Sequence, residues 1–106
     1  MMAARAGAGA VVSCEMNPVT AFLADDIVRR NGLSERVRVV RRHSGDLTAG
    51  PGGDLERRAD IIVSEIFGSD LLGEQVLPAH ADAVSRLLRA GGQVIPALGD
   101  IIVALG

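Results

Sequence analysis

Lysine is missing altogether from these 106 residues, as are tryptophan and tyrosine, and the only aromatic side chains are Phe22 and Phe67. With so few aromatic platforms and a formal net charge of −2, the chain offers nucleic acid neither a stacking surface nor a broad positive field. A single cysteine, Cys14, excludes an internal disulfide and suits a reducing compartment. No apolar run approaches the roughly 20 residues that a bilayer-spanning helix needs. The first ten residues, with one arginine and several glycines, lack the apolar core of a signal peptide. No glycine-rich loop follows a strand to open a helix; Gly7-Ala8-Gly9 precedes a strand and reads as a plain helix-to-strand turn. His43 stands alone, without metal-ligand spacing to His80 or Cys14, so no metal site is expected.

What is present allows one small domain. Hydrophobic residues make up 48% of the chain, enough for a core, and every basic residue is arginine. Met1 to Ala6 reads as the last turns of a helix stopped by Gly7, and its uncapped start suggests truncation. Ala10 to Cys14 is a short apolar strand ending at Glu15. Asn17-Pro18 then opens a helix that Asn31-Gly32 closes, with Val19, Phe22, Leu23, Ile27 and Val28 at inward spacing. Val37 to Val40 is a strand flanked by Arg36, Arg38, Arg41 and Arg42, a charged edge that discourages aggregation. A surface connection over residues 48–54 is expected to be flexible. Ile61 to Ser64 is the next strand, and Pro78 to Ala90 an amphipathic helix stopped by Gly91-Gly92. Gln93 to Pro96 and Asp100 to Leu105 are further strands. Strands alternating with helices in this way predict an α/β fold with a parallel sheet.

The chemistry concentrates between Asp60 and Leu77. Strands of an open α/β sheet present ligand-binding groups at their carboxyl ends, and Glu65 follows such a strand directly. Glu74 comes nine residues later, across a loop that holds Gly68 and Gly73, whose conformational freedom permits a sharp return. Two carboxylates aimed into one pocket suit a cation, and best a planar guanidinium with its paired donors. Spacing alone leaves an ordinary reading open, because a strand-end acid and an acid favouring a helix dipole are both common.

The wording Ser64-Glu65-x-x-Gly68-x-x-Leu71-Leu72-x-Glu74 closely resembles the double-glutamate loop of the protein arginine methyltransferases. The likeness runs over nearly the whole chain, from Met1 to about Leu105, yet that is only part of the family's catalytic core. Leu71-Leu72-Gly73-Glu74-Gln75-Val76-Leu77-Pro78, with His43-Ser44 upstream, looks most like the monomethylating, type III-like branch. The resemblance implies a Rossmann-like class I methyltransferase sheet over residues 1–98 and the start of a β-barrel over 99–106. It implies that this sheet is incomplete, without the first strand and its glycine-rich loop, which belong between the strands ending at Glu15 and Glu65.

By the same resemblance, S-adenosyl-L-methionine is the cofactor. Glu15 would hold its ribose hydroxyls, while the backbone near Ser44 and the position of Gly45 would meet the adenine. Family members often carry an acid where this chain has Gly45; Asp46 comes one place later. Glu65 and Glu74 become the catalytic pair. Asp70, in the same loop, reads either as an ordinary exposed loop aspartate, the commoner case, or as added negative charge that favours basic substrate sequences. The implied partners are an arginine-containing protein substrate and a second copy in a dimer of the full-length protein, with no direct nucleic acid and no membrane. The implied setting is cytoplasmic or nuclear. Without the glycine loop, the isolated chain is expected to bind the cofactor weakly or not at all. Two other classes remain: another nucleotide-cofactor Rossmann enzyme, such as a nicotinamide dehydrogenase, and a non-catalytic interaction module.

Overall fold

Parallel strands in short pairs carry the architecture, as seen in a computed structural model that describes residues 1–68 and 71–104. In chain order come helix α1 (Met2–Arg5), strand β1 (Val11–Cys14), helix α2 (Pro18–Arg30) and strand β2 (Val37–Val40). A single tight helical turn, Ser44–Asp46, precedes strand β3 (Ala59–Val63), helix α3 (Val76–Arg86) and strand β4 (Leu88–Ile95). β1 pairs in parallel with β2, Val11 opposite Val37 through Cys14 opposite Val40. β3 pairs in parallel with β4, with Ile61 opposite Gln93 and Val63 opposite Ile95. The two pairs form separate two-stranded sheets, so β1 and β3 share no ladder among the described residues.

Local chemistry accounts for most of these elements. The Asn17 side chain caps α2, accepting hydrogen bonds from the backbone N–H groups of Val19 (2.9 Å) and Thr20 (3.3 Å), with Pro18 in the first turn. α1 ends as expected, with Gly7 at a φ of 104° that suits glycine. Gly91 and Gly92, read from the sequence as a helix stop, instead lie inside β4. Their irregularity lets Leu88 stay opposite Ala59 while Gln93 reaches Ile61. A side chain at position 92 would meet Leu88 Cδ1 at 2.6 Å, so glycine is required there by close packing. α3 therefore begins two residues earlier and ends four residues earlier than the sequence suggested.

The core has two parts. Ala4, Val28 and Val37 form one, backed by Val11, Leu33 and Val39. Val40, Leu47 and Leu87 form the other; Val12 of β1 and Ile62 of β3 both pack on it, which joins the two strand pairs without hydrogen bonds. The expected inward face of α2 is corrected by the structure. Ala21 and Val28 are buried, but Val19, Phe22, Leu23 and Ile27 are exposed. A sheet only two strands wide has too little surface to cover a helix face more than 100° across. Residues 100–104 belong to no regular element.

The connection over residues 48–54 is pinned rather than loose. Asp54, buried, accepts hydrogen bonds from the Thr48 N–H (3.0 Å) and hydroxyl (3.1 Å) and pairs with Arg42 at 3.0 Å. Arg38 donates to the Asp54 carbonyl, so two of the four arginines around β2 are engaged by one aspartate. Hydrogen bonds from Thr48, with Arg38 and Arg42 nearby, hold the Asp54 carboxyl below its ordinary value. A depressed folded pKa contributes stability that is complete above the unfolded value near 3.9 and is lost as pH falls through the folded one. Asp54→Asn is expected to lower the melting temperature at neutral pH and to flatten its decline in acid. Thermal melts by circular dichroism between neutrality and acid check this; a decline as steep as the parent's would remove Asp54 from the account.

Candidate active site

Three of the expected site segments sit at strand carboxyl ends, where the strand directions put them. Glu15 follows β1, and its backbone N–H donates to the Val40 carbonyl (3.0 Å), which extends the β1–β2 pairing by one step. Its half-buried side chain turns along the chain, Oε1 accepting from the Asn17 N–H at 2.8 Å. Glu15 and the α2 cap are thus one continuous piece of hydrogen bonding. Oε2 has no partner among the described residues, leaving an acceptor of the kind ribose hydroxyl donors require.

Ser44 and Gly45 lie in the tight turn after β2. The His43 side chain starts it, Nδ1 accepting from the Gly45 N–H at 3.0 Å. A Cβ at position 45 would sit 3.0 Å from that same Nδ1. A side chain there would push the His43 ring aside, so the glycine and the histidine fit one another. Arg86 of α3 reaches across to the turn from the other side, donating to the carbonyls of Leu47 (2.7 Å) and Ser44 (3.2 Å). Asp82, one helical turn before it, pairs with the same guanidinium. Hydrogen bonding to Arg86 pulls the Asp82 carboxyl down and raises the Arg86 guanidinium.

Glu65 follows β3 and is exposed. The preceding Ser64 is fixed by its N–H, which donates to the Ile95 carbonyl at 3.0 Å. Gly68 and Leu71 close a turn, the Leu71 N–H donating to the Gly68 carbonyl (2.9 Å). Asp70 lies outside the described residues. Glu74, also exposed, stands just before Gln75, whose left-handed conformation (φ 55°) starts α3. α3 has no acidic residue in its first turn and no side-chain cap, so Glu74 is not serving as a helix cap. Neither glutamate carboxylate has a hydrogen bond or arginine partner among the described residues.

Two engaged side chains in this region escaped sequence reasoning, Arg86 and His80. The His80 Nε2 lies 2.7 Å from the Ser64 hydroxyl, and its Nδ1 lies 2.8 Å from the Val76 carbonyl. Phe67 stacks on the same ring at 5.9 Å between centroids. A signal was available for His80. Val76, His80, Ala83 and Leu87 fall on one helical stripe, and a histidine on an inward stripe needs a polar partner. Among the described residues no group of three or more His, Cys, Asp or Glu is arranged to hold a metal, and no helix is long and apolar enough to cross a membrane.

Comparison with known proteins bears on this geometry. Protein arginine N-methyltransferase 7 of Anopheles gambiae is 43% identical over 96 residues, which are 91% of this chain and 14% of that protein. Its namesake in Danio rerio is 37% identical over 105 residues, 99% of this chain and 15% of that protein. This chain is homologous to part of the protein arginine N-methyltransferases. No family model matches it. A solved Trypanosoma brucei PRMT1 enzyme–prozyme heterotetrameric complex with AdoHcy superimposes with a TM-score of 0.78 at 29% identity, over 89% of this chain and 27% of that one. The fold is accordingly a Rossmann-like methyltransferase core of which this chain holds four strands. The chain spans about one seventh of the curated methyltransferases it matches.

Proposed function

We propose that this chain is the part of a protein arginine N-methyltransferase that holds the substrate guanidinium and one end of the cofactor. The carrying observation is the pair of exposed carboxylates, Glu65 and Glu74, flanking one loop at the end of β3 with no arginine engaging them among the described residues. In this reading the loop takes the guanidinium of an arginine in a protein substrate. That group stays protonated with its lone pairs delocalised. The two carboxylates hold it in plane, each able to accept paired hydrogen bonds, and draw positive charge toward the nitrogens that do not react. The remaining nitrogen is left to attack. Such alignment is worth up to about 7–11 kcal/mol of barrier. No strong base is needed early, because the proton becomes acidic only as the carbon–nitrogen bond forms.

S-adenosyl-L-methionine supplies the transferable methyl when bound. The residues present fit its nucleoside end: Glu15 Oε2 is an acceptor after β1 with no partner among the described residues, and Gly45, in the turn after β2, brings no side chain of its own toward a planar base. The resemblance of Leu71 to Pro78, with His43-Ser44 upstream, to the monomethylating branch supports monomethylation as the outcome. The heterotetrameric state named for the trypanosomal neighbour supports assembly of the whole protein with further chains.

The test is a graft. Residues 1–106 replace the matching segment of the Anopheles gambiae relative, and methyl transfer to an arginine-rich peptide is followed with labelled S-adenosylmethionine. Monomethylarginine is the expected product. A folded graft that labels no arginine, beside an active unmodified relative, would overturn the proposal.

A further inference from the structure

The His80 ring faces both segments that carry the proposed catalytic acids. On one side its Nε2 meets the hydroxyl of Ser64, the residue joined directly to Glu65 (2.7 Å). On the other its Nδ1 meets the carbonyl of Val76, two residues beyond Glu74 (2.8 Å). Phe67 lies on the ring, so the loop is touched on both sides of Glu65. A carbonyl only accepts, so Nδ1 carries the hydrogen, and in the neutral ring Nε2 accepts from the Ser64 hydroxyl. The Val76 carbonyl fixes this tautomer, and the Ser64 hydroxyl, which can donate or accept, is compatible with it.

We infer that His80 is a positioning residue for the carboxylate pair: one imidazole ties the strand end bearing Glu65 to the helix start beside Glu74. Glu65 and Glu74 make no contacts that would hold them, since both are exposed and unpaired among the described residues. Their geometry must come from the backbone on either side. The backbone of Ser64 is already anchored to Ile95, and α3 is anchored through Leu87 in the core. The described residues of the span between them include left-handed Leu71 and Gln75 and have no strand pairing. His80 closes this span across its base. Its role rests on the proposed function only in what the carboxylates are for; the tie itself is a property of the fold.

Nuclear magnetic resonance on the 106-residue chain tests the tie directly. Long-range proton–nitrogen correlation should show the Nδ1–H tautomer of His80; the Nε2–H tautomer would overturn the inference. His80→Phe keeps a ring against Phe67 and loses both hydrogen bonds. Backbone heteronuclear Overhauser effects should then fall at residues 65–67 and 74–76 and nowhere else. His80→Gln, which still reaches Ser64 with a polar group, should restore the first set. Ser64→Ala removes the same bond from the strand side and should reproduce the loss at 65–67, which covers the case of a His80 variant that does not fold. Uniform loosening of the whole chain, or unchanged values in the loop, would reduce His80 to an ordinary packing residue.

Titration with methylguanidinium, followed at the side-chain carboxylate carbons of Glu65 and Glu74, separates this inference from the reading it serves. The parent should give one shared dissociation constant for both carbons, weakened about tenfold in His80→Phe, the scale of one lost hydrogen bond. Loop motion that changes as expected, with carboxylates that never respond to methylguanidinium, would leave the tie standing and sink the catalytic reading. Carboxylates that bind equally well with and without His80 would sink the tie alone.

Discussion

Glu74→Gln in the grafted methyltransferase is expected to lower kcat about 10²–10³-fold, the scale on which a preorganised electrostatic partner of a transition state is lost. The replacement keeps the size of the side chain and one acceptor oxygen. It removes the charge and puts an NH₂ where a guanidinium donor must approach, so two donors face each other. KM for the peptide should rise far less than kcat falls, because remote substrate contacts are untouched while the bias of charge within the guanidinium is gone. Glu65→Gln should cost a similar factor. The double variant should be little worse than either single one, since the two carboxylates grip one planar group together. Steady-state kinetics on the three variants check this. Near-parent kcat in either single variant would remove that residue from the catalytic pair and return it to the ordinary role of a solvated acid.

Leu87→Ala has the largest expected effect on stability. Leu87 is buried with Val40 and Leu47, and the same cluster receives Val12 from one strand pair and Ile62 from the other. With no ladder between β1 and β3, this apolar contact is the main joint between the two sheets. Truncation to alanine removes buried methyl groups and leaves a cavity, at a cost of about 2–5 kcal/mol. A domain whose whole stability lies at the ordinary 5–15 kcal/mol or so has little margin for that. Urea denaturation should show either a midpoint far below the parent's or two separate transitions, one for each strand pair. Leu87→Met, which nearly conserves volume, should cost less than about 1.5 kcal/mol. A Leu87→Ala protein unfolding in one step close to the parent midpoint would show that another contact joins the halves.

The legible parts of this chain were those governed by short-range chemistry. Asn17-Pro18 announced α2 because an amide side chain and a ring-locked φ act on their own neighbours, and the cap is found where they stand. The apolar runs at 11–14, 37–40 and 61–63 lie in parallel strands as expected. Gly91-Gly92 misled because glycine serves both a helix stop and a strand irregularity. The choice depends on β3 offering a partner as distant in sequence as Ile61 is from Gln93, which no local pattern records. The apolar face of α2 misled for a related reason. Its spacing describes a helix that wants covering, and the amount of sheet available to cover it is a property of the assembled strands. Residues 48–54 looked loose because glycine and proline dominate them, while the order comes from Asp54 meeting Arg42 and Thr48.

The candidate site divides along the same line. Sequence alone determined most of the elements, the α/β class and the acids at strand ends, because period, capping and residue chemistry act within a few positions. It also carried the loop wording on which the proposed reaction rests. Only the tertiary structure decided that Glu15 is bound into the α2 cap, that Gly45 is matched to His43, and that His80 and Arg86 brace the loops from α3. Those contacts join residues 16 to 42 positions apart at the braces. Hydrogen bonds of that kind depend on where whole elements pack, and packing is settled by burying apolar surface that the whole chain shares.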